Sequence, residues 1–164
     1  MLDASCLGDT ESMPARLREY RQSDFDELWQ LDQQCFPPGI AYSRFELMHY
    51  IGQQNSFTLI AEDEERAIRG FAVGERRPVR SRPAGHVITI DVREQSRRSG
   101  VGSLLMDALE ARLHQAGCHV VYLETAVNNS SAISFYKRRG YTVLSTIPRY
   151  YEGKLDALVM GKKL

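Results

Sequence analysis

Polar and apolar residues alternate along Arg16-Leu17-Arg18-Glu19-Tyr20, the period of a half-buried strand, and then switch to mostly helical spacing at Phe25, Leu28, Trp29, Leu31 and Cys35. Ser23 or Asp24 stands where a helix cap belongs, and Pro37-Pro38-Gly39 ends the run. Ser43 and Glu46 have capping-box spacing ahead of a shorter helix that carries Leu47, Tyr50 and Ile51. Two apolar runs, residues 57–61 and 68–73, flank the acidic turn Glu62-Asp63-Glu64-Glu65 and predict a hairpin. A loop with Arg76, Arg77, Arg80 and Arg82 among prolines and glycine then precedes a strand over 86–92. Val101, Leu104, Leu105, Ala108, Leu109 and Leu113 share one face of a long helix that Gly117 stops. Residues 119–123 read as a buried strand, Asn129 caps a helix through Ala132, Ile133 and Tyr136, and residues 141–147 and 155–160 form two last strands. In the resulting order, β-α-α-β-β-β-α-β-α-β-β, hairpins surround strand–helix units. This predicts an α/β (α+β mixed) fold with about seven strands in one mixed, mostly antiparallel sheet and about four helices.

The chain has 164 residues, enough for one domain and no second catalytic module. Residues 1–12 are polar and unpatterned and read as a flexible tail, which leaves 13–164 as the folded domain. Lys+Arg and Asp+Glu cancel at 21 each, so the strong positive field of a dedicated DNA-binding protein is missing. Arg outnumbers Lys 17 to 4, which favours planar contacts to phosphate and carboxylate. Cys6, Cys35 and Cys118 are far apart and contain no C-x-x-C pair, which points away from a metal site and toward a reduced, cytoplasmic chain. No apolar run approaches the length of a membrane helix, and the N-terminus lacks the pattern of an export signal.

The candidate chemistry centres on Arg97-Arg98-Ser99-Gly100-Val101-Gly102, between a strand and the first turn of the long helix. A helix N-terminus offers unpaired N–H groups and a positive dipole end, and the two glycines let a pyrophosphate approach the backbone. A Walker loop would need Lys-Ser/Thr after the last glycine, and a dinucleotide fingerprint would need a glycine where Leu105 stands, so both are excluded. A plain helix cap with solvated arginines is the bland alternative. Val92 followed by R-R-S-G-V-G resembles the R/Q-x-x-G-x-G/A signature of the GNAT superfamily of acetyl-CoA-dependent N-acetyltransferases. The segment from Asn129-Ser130-Ser131-Ala132 through Tyr136 to Arg139-Gly140-Tyr141 is similar to a second motif of the same family. The resemblance covers about residues 15–162 and implies a sheet splayed open in the middle, between the strands ending near Val92 and Thr125. It also implies acetyl-CoA as cosubstrate without a metal, with backbone groups of Thr89, Ile90, Asp91 and Val92 holding the pantetheine arm. Within the superfamily, the chain looks nearest to the bacterial ribosomal-protein alanine N-acetyltransferases and the N-terminal peptide acetyltransferases.

Acetyl transfer to an amine needs a free nitrogen lone pair, a stabilised carbonyl oxygen and a stabilised thiolate. Tyr136 lies two helical turns after Asn129 and shares its face, and the resemblance gives it the acid role near the thioester sulfur. Proton transfer from a phenol near 10 to a thiolate near 8.5 is uphill by roughly 2 kcal/mol, which favours a strong hydrogen bond over full donation. The resemblance makes Glu124 the general base. A carboxylate is a weak base, but freeing an α-amine at pH 7 costs about 1 kcal/mol against about 4.6 for lysine, so it suits an α-amine. Phe36, Pro37, Tyr42, Tyr150 and Tyr151 are similar to the substrate-side loops of N-terminal peptide acetyltransferases and would form an aromatic entrance. His86, His114 and His119 fall outside the motifs and read as structural or surface groups.

The leading expectation is therefore direct transfer in a ternary complex from acetyl-CoA to the α-amine of a peptide or protein N-terminus, by a monomer or homodimer. A small-molecule amine or a lysine side chain is the alternative acceptor. A non-catalytic acyl-CoA-binding module would need the phosphate loop but neither Glu124 nor Tyr136. An acyl-cysteine route through Cys35 or Cys118 lacks a placed histidine. The arginines at 76, 77, 80 and 82 interleave with no aromatics and do not make a nucleic-acid surface.

Overall fold

The computed structural model describes residues 14–164, so the expected tail over 1–12 lies outside the described residues. The chain runs β1 (Arg16–Glu19), a 3-10 turn (Gln22–Asp24), α1 (Phe25–Cys35), α2 (Arg44–Gly52), β2 (Ser56–Glu62), β3 (Ile68–Arg77) and β4 (Ala84–Val92). A second 3-10 turn (Glu94–Ser96), α3 (Val101–Gln115), β5 (Val120–Ala126), α4 (Ser130–Arg138), β6 (Thr142–Tyr151) and β7 (Leu155–Lys163) follow. The sheet has the order β1-β2-β3-β4-β5-β7-β6, and every neighbouring pair is antiparallel except β4 and β5.

Local chemistry sets several of the ends. Glu46 N–H donates to Ser43 Oγ (3.2 Å) and Ser43 N–H donates to Glu46 Oε2 (2.8 Å), the expected capping box of α2. Ala132 N–H donates to Asn129 Oδ1 (3.2 Å) at the start of α4. Asp24 does not cap α1 with its side chain. It accepts from Arg21 N–H (2.7 Å) and from both terminal nitrogens of Arg18 (2.8 and 2.9 Å), which anchors the turn to β1.

Strand lengths depart from expectation where pairing outweighs local signals. Arg76 and Arg77, expected in a loop, extend β3 because they pair with Gly85 and Ala84 of β4. Glu124 lies inside β5, since β7 pairs with it as far as Ala126, and Tyr150 and Tyr151 end β6 rather than preceding β7 in a loop.

Two cores cover the two faces of the sheet. Leu105, Met106, Leu109 and Leu113 of α3 are fully buried with Leu59, Ala72, Val87, Val121, Leu123 and Met160. Each such side chain contributes roughly 1.5–3 kcal/mol of burial. On the other face, Phe25, Leu28 and Leu31 of α1 and Leu47 of α2 meet Ile60, Phe71 and Val73.

β4 carries the feature that organises the site. Its pairing with β3 slips by one residue, with Thr89 opposite Val73 but Val87 opposite Gly74, which leaves Ile88 as a bulge. A one-residue slip reverses the alternation, so Val87, Ile90 and Val92 all reach the α3 core. Thr89 and Asp91 therefore turn to the α1 side. β4 pairs with β5 only at Gly85↔Val121 and His86↔Tyr122, after which the strands part and the sheet is split as expected.

Candidate active site

At the fork of the split, Glu75 of β3, His86 of β4 and Tyr122 of β5 stand in one lateral row, because Glu75 pairs with His86 and His86 with Tyr122. Glu124 is two residues beyond Tyr122 and shares its face. The His86 ring stacks on Tyr122 (centroids 4.4 Å apart, planes at 11°), and its Nε2 lies 2.6 Å from Glu124 Oε2. Its Nδ1 lies 3.3 Å from Glu75 Oε1. Its two ring nitrogens thus face two different carboxylates, and a neutral ring can donate to only one of them. Burial opposes charge on Glu75, but hydrogen bonds from Arg77 and His86 outweigh it and hold the carboxyl below its ordinary value. His86 falls outside the sequence motifs, and its contact with Glu124 depends on a parallel strand register across 38 residues, for which no local signal exists.

The Arg97–Gly102 loop joins the end of β4 to α3. Arg97, Arg98, Ser99 and Gly100 are exposed, and Val101 begins the buried face of the helix. Gly100 is the N-cap of α3 at φ +89°, and nothing lies within 4 Å of where its Cβ would stand, so the helix N-terminus is bare toward solvent. Arg98 also adopts a left-handed φ of 61°, and Ser99 Oγ–H donates to Ser96 O (2.5 Å). The missing side chain of Gly102 faces Phe135 and Val92, inward rather than toward the loop mouth. Beyond His86 β4 has no pairing with β5, and residues 87–92 line the gap where an extended thioester arm can lie.

Tyr136 of α4 is 8% exposed and packs edge-on with Phe135 and beside Tyr141. Burial, with smaller contributions from the Asp91 and Tyr151 charges, pushes its hydroxyl far above the ordinary tyrosine range. It is a neutral hydrogen-bond donor at any working pH. The Asn129 side chain accepts from Ala132 N–H and from Ser131 Oγ–H (3.2 Å), so it shapes the start of α4.

Of the residues expected at the aromatic entrance, Phe36, Pro37 and Tyr42 lie between α1 and α2, and Tyr150 and Tyr151 lie at the end of β6. Tyr42 is fastened by three of its groups: Asp32 Oδ2 accepts from its N–H (2.7 Å), Trp29 Nε1 and Gln33 Nε2 donate to its carbonyl (3.1 and 2.7 Å), and its hydroxyl donates to Ile88 O at the bulge (3.2 Å). It stacks edge-on with Tyr50 at 5.3 Å, and burial, before all else, pushes its hydroxyl far above the ordinary tyrosine range. Gly39, at φ +91°, lies directly against the Glu152 side chain, so the loop between α1 and α2 meets the β6–β7 turn. Phe36 and Pro37 lead into that loop at the end of α1. Among the described residues, no group of three or more His, Cys, Asp or Glu side chains could hold a metal ion, and no helix is long and apolar enough to cross a membrane.

Residues 25–141 match the acetyltransferase (GNAT) family. The N-alpha-acetyltransferase of Sulfurisphaera tokodaii is 28% identical over 158 residues, 91% of this chain and 93% of that protein. N-alpha-acetyltransferase 20 of Dictyostelium discoideum is 31% identical over 118 residues, 71% of this chain and 68% of that one. Among solved structures, Arabidopsis thaliana Naa50 in complex with the bisubstrate analogue CoA-Ac-MVNAL is similar with a TM-score of 0.78 and 25% identity, over 92% of this chain and 99% of that one. A chain of the NatC complex bound to Gag peptide and CoA has the same fold, with a TM-score of 0.82 and 22% identity over 93% and 99% of the two chains. The family match runs from the start of α1 to Tyr141 and so takes in both strands of the split and the bare helix N-terminus between them, and the chain belongs to the GNAT family of acetyltransferases.

Proposed function

We propose that this protein transfers the acetyl group of acetyl-CoA to the α-amine of a peptide or protein N-terminus, directly and within a ternary complex. The observation that carries this reading is the Glu124–His86 pair (2.6 Å) at the fork of β4 and β5, beside a mouth lined by Tyr42, Tyr150 and Tyr151. Relatives named as N-alpha-acetyltransferases, and a similar structure holding a peptide-linked CoA analogue, support the same acceptor class.

An α-ammonium must lose a proton before its lone pair can attack the thioester carbonyl, and the Glu124–His86 pair receives it. The new C–N bond forms, the nitrogen gives up a second proton to water, the C–S bond breaks and CoA leaves as a thiolate, to which the neutral Tyr136 hydroxyl donates a hydrogen bond. The carbonyl oxygen and the pantetheine arm have the edge of β4 over residues 87–92 that faces away from β3 to bond with, and the pyrophosphate has the N-terminus of α3. Burial pushes the Cys35 thiol up to about 11 and raises Cys118 as well, so neither is an activated nucleophile and transfer needs no acyl-cysteine. Both thiols are free, which supports a reducing, cytoplasmic setting.

The test offers acetyl-CoA with a mixture of peptides bearing a free α-amine, peptides blocked at the α-amine but containing lysine, and small diamines. Mass spectrometry is expected to locate acetyl on free α-amines. Label confined to lysine side chains or to the diamines would overturn the acceptor assignment.

A further inference from the structure

Asp32 of α1 and Asp91 of β4 are both fully buried, at 0% exposure, in the wall between the acceptor mouth and the split. Each is half satisfied. Asp32 Oδ2 accepts from Tyr42 N–H (2.7 Å) and from Gln33 Nε2 (3.2 Å), and Asp91 Oδ1 accepts from Thr89 Oγ–H (2.5 Å). The remaining oxygens, Asp32 Oδ1 and Asp91 Oδ2, are buried and meet no N–H or O–H donor. The two carboxyl groups are within hydrogen-bond reach of each other. Two buried carboxylates in that arrangement would repel, and an unsatisfied buried oxygen is costly, but one proton between the two orphaned oxygens satisfies both.

We propose that Asp32 and Asp91 share a single proton as an acid–carboxylate pair, and that this pair is a positioning device that holds the Tyr42 loop of the acceptor mouth against the acetyl-CoA strand β4. The donors decide where the proton sits. Asp32 receives two N–H groups and carries the charge, whereas Asp91 receives only a hydroxyl, so Asp91 Oδ2–H donates to Asp32 Oδ1. The chain of bonds then runs Thr89 → Asp91 → Asp32 ← Tyr42. The bulge at Ile88 makes it possible, because it turns Thr89 and Asp91 toward α1 and frees the carbonyl that accepts from the Tyr42 hydroxyl.

The surroundings fit one negative charge. Burial, above all, raises both groups, taking Asp32 up to about 6, and the Asp32 charge raises Asp91 further. Glu46 of α2 adds repulsion to Asp32, and Arg97 of the loop after β4 supplies the opposing charge to Asp91. Cys35 of α1, Tyr136 of α4 and Tyr42 are the other titratable neighbours, and all three are held protonated. Loss of the shared proton at alkaline pH leaves two charges face to face and pushes the loop from the strand.

The positioning role rests on peptide acetylation as the activity, whereas the proton itself does not, so two measurements separate the claims. Infrared difference spectra of wild type against Asp91→Asn at pH 7 should show the carbonyl band of one protonated carboxylic acid, with or without an active acceptor. Absence of that band overturns the shared proton. In kinetics with a free α-amine peptide, Asp91→Asn keeps a permanent donor toward Asp32 and removes the titration. Its acceptor KM should stay flat over the alkaline range in which the wild-type value rises. Asp32→Asn sets a donor against a donor, or leaves a buried charge on Asp91, and should raise acceptor KM about tenfold at every pH, with a smaller effect on acetyl-CoA affinity. Equal KM profiles in wild type and the isosteric Asp91→Asn would overturn the positioning role even if Asp32→Asn failed to fold.

Discussion

The proposed acceptor of the ammonium proton is Glu124 together with His86, whose Nε2 lies 2.6 Å from Glu124 Oε2. Glu124→Gln is therefore expected to lower kcat/KM most at low pH, where the acceptor is protonated, and to recover in part above about pH 8, the ordinary range of an α-amine. A pH–rate profile checks this, and a loss that is equal at every pH would remove the base role. For Tyr136 the structure tempers the acid role. A hydroxyl held far above its ordinary value does not surrender a proton to a thiolate, so its contribution is that of a hydrogen bond to a charged group, about 1.5–3 kcal/mol. Tyr136→Phe should accordingly reduce kcat by roughly 10- to 150-fold, with acetyl-CoA affinity nearly intact by calorimetry. Full proton donation would show instead as a larger loss and as an alkaline limb in the wild-type profile that Tyr136→Phe lacks.

At the scale of elements, the loop before α3 is proposed to hold the pyrophosphate through backbone rather than side chains. Gly100 caps the helix at φ +89° with open space in front of it. Any other residue there costs about 1–2 kcal/mol of left-handed strain, so Gly100→Ala serves as the reference for strain alone. Gly100→Glu adds a negative charge where the pyrophosphate approaches and should weaken CoA binding at least tenfold beyond Gly100→Ala, as read by calorimetry on folded protein. Equal affinities for the two variants would move the phosphate site elsewhere. This element was legible in the sequence because glycine, helix start and arginines are all local signals. The reach of β3 to Arg77 and the placement of Tyr150 in β6 were not legible, because a Pro- and Arg-rich stretch looks like a loop until its partner strand is known.

For the whole molecule, β1 is tied to the rest through charge. Arg18 holds Asp24 with two bonds and Glu62 with one (2.6 Å), and Arg16 adds a second cation on Glu62 (2.8 Å). Hydrogen bonding to Arg18, against the cost of burial, holds both carboxyls below their ordinary values. A group lowered in the folded state stabilises it above the unfolded value, near pH 4, and that contribution is lost as pH falls through the folded value. The Tm of wild type should thus drop more steeply below pH 4 than that of Arg18→Met, and the two should converge near pH 2. A difference unchanged from pH 7 to 2 would show that Arg18 acts by packing alone. The amino-acid sequence by itself determined the order of strands and helices, the caps at Ser43 and Asn129 and the bare N-terminus of α3, since each depends on periodicity or on residues a few positions apart. Tertiary structure alone decided that β4 bulges at Ile88, that His86 meets Glu124 and Glu75, and that Asp32 faces Asp91. Those contacts follow from strand register and from which face of β4 meets α1, and a shift of one residue, silent in any local pattern, turns every later side chain of the strand to the opposite side.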